Sequence, residues 1–169
     1  MKSVLMFAAI CIVALSANGQ KENTKSPIAE VKGSTASGTS IYIRYNRPSV
    51  RGREIGKTVE PMPGKVWRTG ADSATAFEIS KDVKVEGKDL KAGRYALFTI
   101  KDGDDWTIIF NTDVRKWGAF SYKESADVLR VKVKAGKASP FAEQFTITVS
   151  DKGKVDLLWG DSDVAFTVE

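Results

Sequence analysis

The 169-residue sequence contains no histidine and a single cysteine. Without imidazole there is no Ser-His-Asp triad, no Cys-His dyad, no histidine metal ligand and no imidazole pH switch. Long hydrophobic runs are also scarce. The most prominent, Val4 to Leu15, has twelve residues, short of the ~20 that a membrane-spanning helix needs. It follows Lys2 and precedes Ser16-Ala17-Asn18-Gly19, so it reads as the apolar segment of an export signal, with Ala17 and Gly19 flanking the cleavage position. Cys11 lies inside that run behind Ile10, where a lipoprotein site has a small residue, so lipidation is not expected.

Cleavage after Gly19 removes nineteen residues of 169 and leaves 150, from Gln20 to Glu169, enough for one domain with a proper core. The expected mature protein is exported, periplasmic or secreted. It has no membrane span and no cysteine, hence no disulfide, thiol nucleophile or thiolate metal site. No cofactor is expected.

Charge is unevenly spread. The chain carries 26 Lys and Arg against 21 Asp and Glu. Between Ile41 and Gly70, however, Arg44, Arg47, Arg51, Arg53, Lys57, Lys65 and Arg68 face only Glu54 and Glu60. The remainder is nearly neutral. A basic balance often signals nucleic acid, but an excess confined to one loop of an exported protein does not, and no nucleic-acid partner is expected.

The dominant hydrophobic period is two. Ile41, Ile43 and Tyr45 alternate with Tyr42, Arg44 and Asn46, and Leu129, Val131 and Val133 alternate with Arg130, Lys132 and Lys134. The same pattern covers Phe77 and Ile79, Val83 and Val85, Trp106 to Phe110, Phe145 to Val149, Val155 to Trp159, and Val164 to Val168. Such alternation predicts half-buried strands. Turn chemistry separates them at Glu86-Gly87, Asp102-Gly103, Lys152-Gly153 and Gly160-Asp161. Tyr95–Ile100 and Trp106–Asn111 form the clearest hairpin. The fold class is therefore all-β, a single antiparallel β-sandwich of jelly-roll or immunoglobulin-like topology, with at most one short helix near 121–127. The expected organisation is a signal over 1–19, a flexible leader with a first short strand (Ile28 to Lys32) over 20–38, and the domain over 39–169.

Arg47 to Asp72 fits no strand cleanly and carries most of the chemistry. Arg47, Arg51, Arg53 and Arg68 can converge on an anion, because guanidinium forks match carboxylate, phosphate or sulfate; alternatively each is solvated or pairs with Glu54, Glu60 or Asp72. Trp67-Arg68-Thr69-Gly70-Ala71-Asp72 combines a stacking plane with hydrogen-bonding groups, a carbohydrate-site composition, yet equally suits a buried Trp anchoring a turn that Asp72 caps. Trp117 to Tyr122 is an aromatic cluster that would stack sugars if exposed and plug the core if buried. Asp102-Gly103-Asp104-Asp105 opens like a calcium loop but lacks the distal Glu, and reads as a polar turn. Carboxylate catalysis would need a pair such as Asp72 with Glu78 or Asp127.

These motifs carry a resemblance. Tyr45 to Arg53, Gly64 to Thr75, Ala92 to Phe98, Trp106 to Asn111, Trp117-Gly118 and Asp127 to Val131 together resemble the domain of unknown function 2911 (DUF2911) family, over most of residues 27 to 168. The resemblance implies an exported bacterial protein, mainly of Gram-negative lineages, and no established activity. Where the family usually follows Trp-Arg-Thr-Gly-Ala with Asn-Glu-Ala-Thr, this chain has Asp72-Ser73-Ala74-Thr75; where it has Pro-Tyr-Gly-Lys, this chain has Met62-Pro63-Gly64-Lys65. Both departures weaken an enzymatic reading. The expected ligand-binding set is Arg47, Arg51, Arg53, Trp67, Arg68, Thr69, Asp72 and Trp117, for a polar or anionic small molecule or cell-surface glycan. A structural or interaction module, and a carboxylate-dependent hydrolase, are the alternatives.

Overall fold

A computed structural model of the chain describes residues 25–114 and 117–169. The expected signal, its cleavage position and the first residues of the leader lie outside them.

The described chain is nearly all β. Its strands are β1 (Ile28–Ser34), β2 (Ser40–Asn46), β3 (Val66–Trp67), β4 (Thr75–Ile79), β5 (Val83–Val85), β6 (Lys88–Leu90), β7 (Gly93–Asp102), β8 (Asp105–Asn111), β9 (Asp127–Val149) and β10 (Lys154–Thr167). The expected short helix is a single 3-10 turn, Glu124–Ala126. Every pairing between strands is antiparallel, and the main sheet runs β1-β2-β4-β7-β8-β9-β10, with β3 also on β7 and β5-β6 a separate hairpin. The sheet starts at Ile28, inside the segment expected as leader. No helix among the described residues is long and apolar enough to cross a membrane.

Two features differ from the sequence expectation. The stretches Leu129–Val133 and Phe145–Val149 belong to one 23-residue strand, β9. Its first part pairs with β8 up to Lys134↔Asp105, and from Ala135↔Val164 onward it pairs with β10. This change of partner curls the sheet, so that β1 approaches the far end of β9 and Gly33 lies against Val149 too closely for any side chain. Gly160-Asp161 is not a turn but a bulge within β10, where the register shifts on both sides of Gly160. Gly160 takes a φ of 60°, the left-handed conformation glycine accepts freely. The other turns are as expected. Glu86 and Gly87, with φ 48° and 76°, make the two-residue hairpin turn that matches strand twist.

One face of the curled sheet holds the core. Ile41, Ile43, Phe77, Leu97, Trp106, Ile108, Phe110, Phe145, Leu157 and Phe166 are among its fully covered side chains. Each such burial contributes roughly 1.5–3 kcal/mol. β7 and β8 are covered on both faces: Ala96, Phe98 and Ile109 form a second small cluster under Ala119 and Tyr122, and the Phe98 and Tyr122 rings meet edge-on at 5.0 Å.

Candidate functional site

The segment between β2 and β4 is pinned rather than loose. Val50 N–H donates to Glu143 O at 2.8 Å and Phe145 N–H to Pro48 O at 2.9 Å, zipping the start of the loop to β9. Trp159 Nε1–H donates to Glu60 O at 2.8 Å from β10. Beyond β3 the chain closes a tight turn: Trp67 Nε1–H reaches Gly70 O at 3.0 Å, Thr75 Oγ1 donates to Thr69 O at 2.6 Å, and Thr69 and Thr99 share a buried hydroxyl contact at 3.1 Å. At Gly70 an added Cβ would sit 2.9 Å from Asn46 O, so only glycine lets the turn lie this close to β2.

Between this turn and the loop opens a cleft of about 590 Å³. Arg51, Arg53, Trp67, Arg68 and Asp72 line it, together with Lys25, Ser26, Glu60 and Met62. Arg47 and Thr69 do not. Arg47 spends its guanidinium on β9, donating from Nε to Phe145 O at 3.1 Å and from Nη2 to Thr146 Oγ1 at 2.8 Å. Thr69 faces the core and is fully buried. Arg53 hydrogen-bonds Val50 O at 3.0 Å and Ser49 O at 2.6 Å, and Arg51 Nη2 reaches Lys25 O at 3.1 Å. The loop arginines are therefore tied to carbonyls rather than to the carboxylates weighed from sequence.

Arg68 differs from all of them. Among the described residues its Nε is shielded from solvent without a hydrogen-bond partner, and its guanidinium makes neither a hydrogen bond nor an ion pair. The Asp72 carboxylate, expected as a turn cap, also accepts no hydrogen bond among the described residues. A cation and an anion thus line one cleft with their side-chain valences unspent.

The backbone around the cleft is unusual as well. Four non-glycine residues among those described have φ in the left-handed region: Arg51 (51°), Thr69 (54°), Asp72 (57°) and Glu86. Glu86 belongs to its hairpin turn; Arg51 and Asp72 line the cleft, and Thr69 lies in the tight turn beside it. Such conformations cost of order 1–3 kcal/mol each and concentrate at functional sites. For β-branched Thr69 the conformation is a genuine outlier.

Trp117 lies outside the cleft lining but next to it. Ser73 and Trp117 form an antiparallel bridge, and Gly118 N–H donates to Asp72 O at 2.8 Å. Trp117 is 70% exposed and Phe120 96% exposed, while Ala119 and Tyr122 of the same loop cover the second cluster. The aromatic segment is thus split, with Trp117 and Phe120 exposed and Ala119 and Tyr122 packed on the second cluster.

Of the carboxylates named for catalysis, Asp72 lines the cleft and Glu78 and Asp127 do not. Glu78 is exposed on β4. Asp127 sits in a polar cluster, receiving the Tyr122 hydroxyl at 2.5 Å, Arg130 Nε at 2.8 Å and Asn111 Nδ2 at 2.7 Å. Burial first, then the Asp127 carboxylate, push the Tyr122 phenol up to about 12, against the pull of Arg130. The acidic residue that does share the cleft with Asp72 is Glu60, whose Oε2 accepts the Met62 N–H at 2.7 Å. No group of three or more Asp, Glu, His or Cys side chains among the described residues is arranged to hold a metal ion.

A second cleft, of about 530 Å³, lies over β9 and β10 and was not foreseen. Asp156 and Asp163 line it; Asp156 pairs with Lys154 at 2.6 Å, and burial, then Asp156, push the Asp163 carboxyl up from its ordinary value. Strict alternation puts Asp156 and Asp163 on opposite faces of β10, and the register shifts around Gly160 between them return both to one face. Lys25 and Ser26, in the polar leader, carried no signal either.

The order of these motifs along the chain decides the family. A sequence profile described as "Protein of unknown function (DUF2911)" matches residues 26–168. The chain belongs to the DUF2911 family. The match takes in the cleft lining apart from Lys25, the aromatic loop and the whole sheet. No curated protein and no solved structure matches the chain.

Proposed function

We propose that the cleft binds a small polar or anionic ligand, with Arg68 as its principal anchor and Arg51 and Arg53 at its mouth, and that the protein acts by binding rather than by turnover. The observation that carries this reading is the shielded, unpartnered Nε of Arg68. A buried donor without a partner costs about 1–3 kcal/mol, and a guanidinium is the side chain best suited to a planar anion. Supporting it, two left-handed non-glycine residues, Arg51 and Asp72, line the same cleft, and such strain concentrates at functional sites.

The structural-module reading draws its support from Arg47 and Arg53, which hold the loop by carbonyl contacts. It accounts for those two residues and leaves Arg68 unexplained. Export with cleavage after Gly19 is part of the proposal, on the Lys2, Val4–Leu15 and Ala17-Asn18-Gly19 pattern; a mature protein whose first residue is other than Gln20 would contradict it.

The binding test is a calorimetric titration of wild type and Arg68→Ala with a panel of uronates, sugar phosphates and amino acids. At least one anion should bind the wild type, and Arg68→Ala should bind it tenfold or more weakly, about 1.4 kcal/mol. Equal affinity in both proteins, or no binding by the wild type across the panel, rejects the reading.

A further inference from the structure

We infer that the ligand is an acidic oligosaccharide, at least two rings long, whose carboxylate-bearing ring sits at Arg68 and whose next ring stacks on Trp117. The inference rests on the cleft reading above and adds the chemical class and the length.

The charge of the cleft selects the anion. Its lining holds Lys25, Arg51, Arg53 and Arg68, but also Glu60 and Asp72. Four cations against two carboxylates leave the lining positive, and a planar carboxylate can take the Arg68 fork in two parallel hydrogen bonds. The Asp72 carboxylate, which accepts no hydrogen bond among the described residues, is a strong acceptor lining the same cleft. The groups it suits are the hydroxyls a sugar ring carries.

The aromatic loop supplies the second position. The Gly118–Asp72 hydrogen bond of 2.8 Å and the Ser73–Trp117 bridge tie Trp117 to the rim of the cleft at Asp72, and bridged Cα atoms lie roughly 4.5–5.5 Å apart. A molecule confined to the cleft does not meet Trp117, which is not part of the lining. One that continues over Asp72 does. The indole is 70% exposed, while Trp67, Trp106 and Trp159 are 1–2% exposed. A large exposed aromatic has no role in this core. Its flat apolar face matches the C–H face of a sugar, and its N–H remains for a hydroxyl.

The test compares galacturonate, trigalacturonate and neutral maltotriose on the mature protein, read by calorimetry and by tryptophan emission. Wild type should bind the trimer at least tenfold more tightly than the monomer and show an emission change with the trimer only. Trp117→Ala should erase the trimer's advantage and leave monomer affinity within twofold, and Trp117→Phe should restore part of it. Equal affinity of wild type for monomer and trimer, or a Trp117→Ala protein that keeps the advantage, overturns the stacking position while the cleft reading stands. Maltotriose binding as tightly as trigalacturonate overturns the acidic class. If Arg68→Ala leaves uronate affinity unchanged, the cleft reading itself fails, and this inference with it.

Discussion

The carbonyl of Asp72 accepts the backbone N–H of Gly118 at 2.8 Å. This one contact joins two segments 46 positions apart in the chain and sets the exposed Trp117 beside the cleft that Arg68 and Asp72 line. It is the physical basis for treating the basic loop and the aromatic loop as one site.

The arginines of the loop should separate by stability. Arg47 makes two hydrogen bonds to β9, so Arg47→Ala should lower unfolding free energy by about 1.5–3 kcal/mol, the range for charged hydrogen bonds. Arg68→Ala removes no hydrogen bond and should leave stability within about 0.5 kcal/mol, or raise it. Urea unfolding of both variants checks this. A large loss for Arg68→Ala would assign it a structural role.

Arg51 should show a trade between stability and binding. Its φ of 51° costs a side-chain-bearing residue about 1–2 kcal/mol, and glycine adopts it freely. Arg51→Gly should therefore be as stable as wild type or more so by up to about 1 kcal/mol, while binding anions more weakly. Thermal melts and titration of the same sample decide it; a destabilised Arg51→Gly with unchanged binding would contradict it.

The four tryptophans should divide three to one. Trp67, Trp106 and Trp159 are buried and Trp117 is exposed. Acrylamide should quench a single accessible component, and Trp117→Phe should abolish it. A quenchable fraction that survives Trp117→Phe would mean that the core Trp residues are open to solvent.

Alkaline behaviour should report on Tyr122. Its folded-state pKa is raised from the ordinary 10.0 to about 12, so the neutral phenol stabilises the fold fully below about pH 10, and that contribution fades as pH rises through about 12. In a tyrosinate absorbance titration, Tyr122→Phe should remove the highest-titrating step and flatten the stability loss across that window. A titration curve that keeps its highest step in the variant would place the shift elsewhere.

Much of the fold was legible because a two-residue period has few other causes. Ile41, Ile43 and Tyr45, or Leu129 and Val131, can be buried together on one side only as a strand. What local pattern could not show was continuity. Ala135 to Pro140 looks like a break, with glycine, serine and proline, yet β9 continues across it, paired with β10 at Ala135 to Lys137 and again at Ala142 after a register shift. Gly160 has turn chemistry and serves a bulge. For the site, the concentration of arginine on one loop was visible, but which arginine stays free was not. That depends on Phe145 O, 98 positions from Arg47, and on carbonyls that exist as acceptors only once the loop is folded. Burial of Trp67 and exposure of Trp117 were likewise matters of tertiary contact, since each is a lone Trp in a short polar, glycine-bearing motif.

The most direct measurement is the arginine side-chain Nε–H spectrum of labelled protein during titration with galacturonate. The signal assigned to Arg68, by its absence in Arg68→Lys, should shift as the unpartnered Nε gains an acceptor. If the Arg68 signal stays in place while the sugar binds, or no Nε–H responds at all, the central claim is wrong.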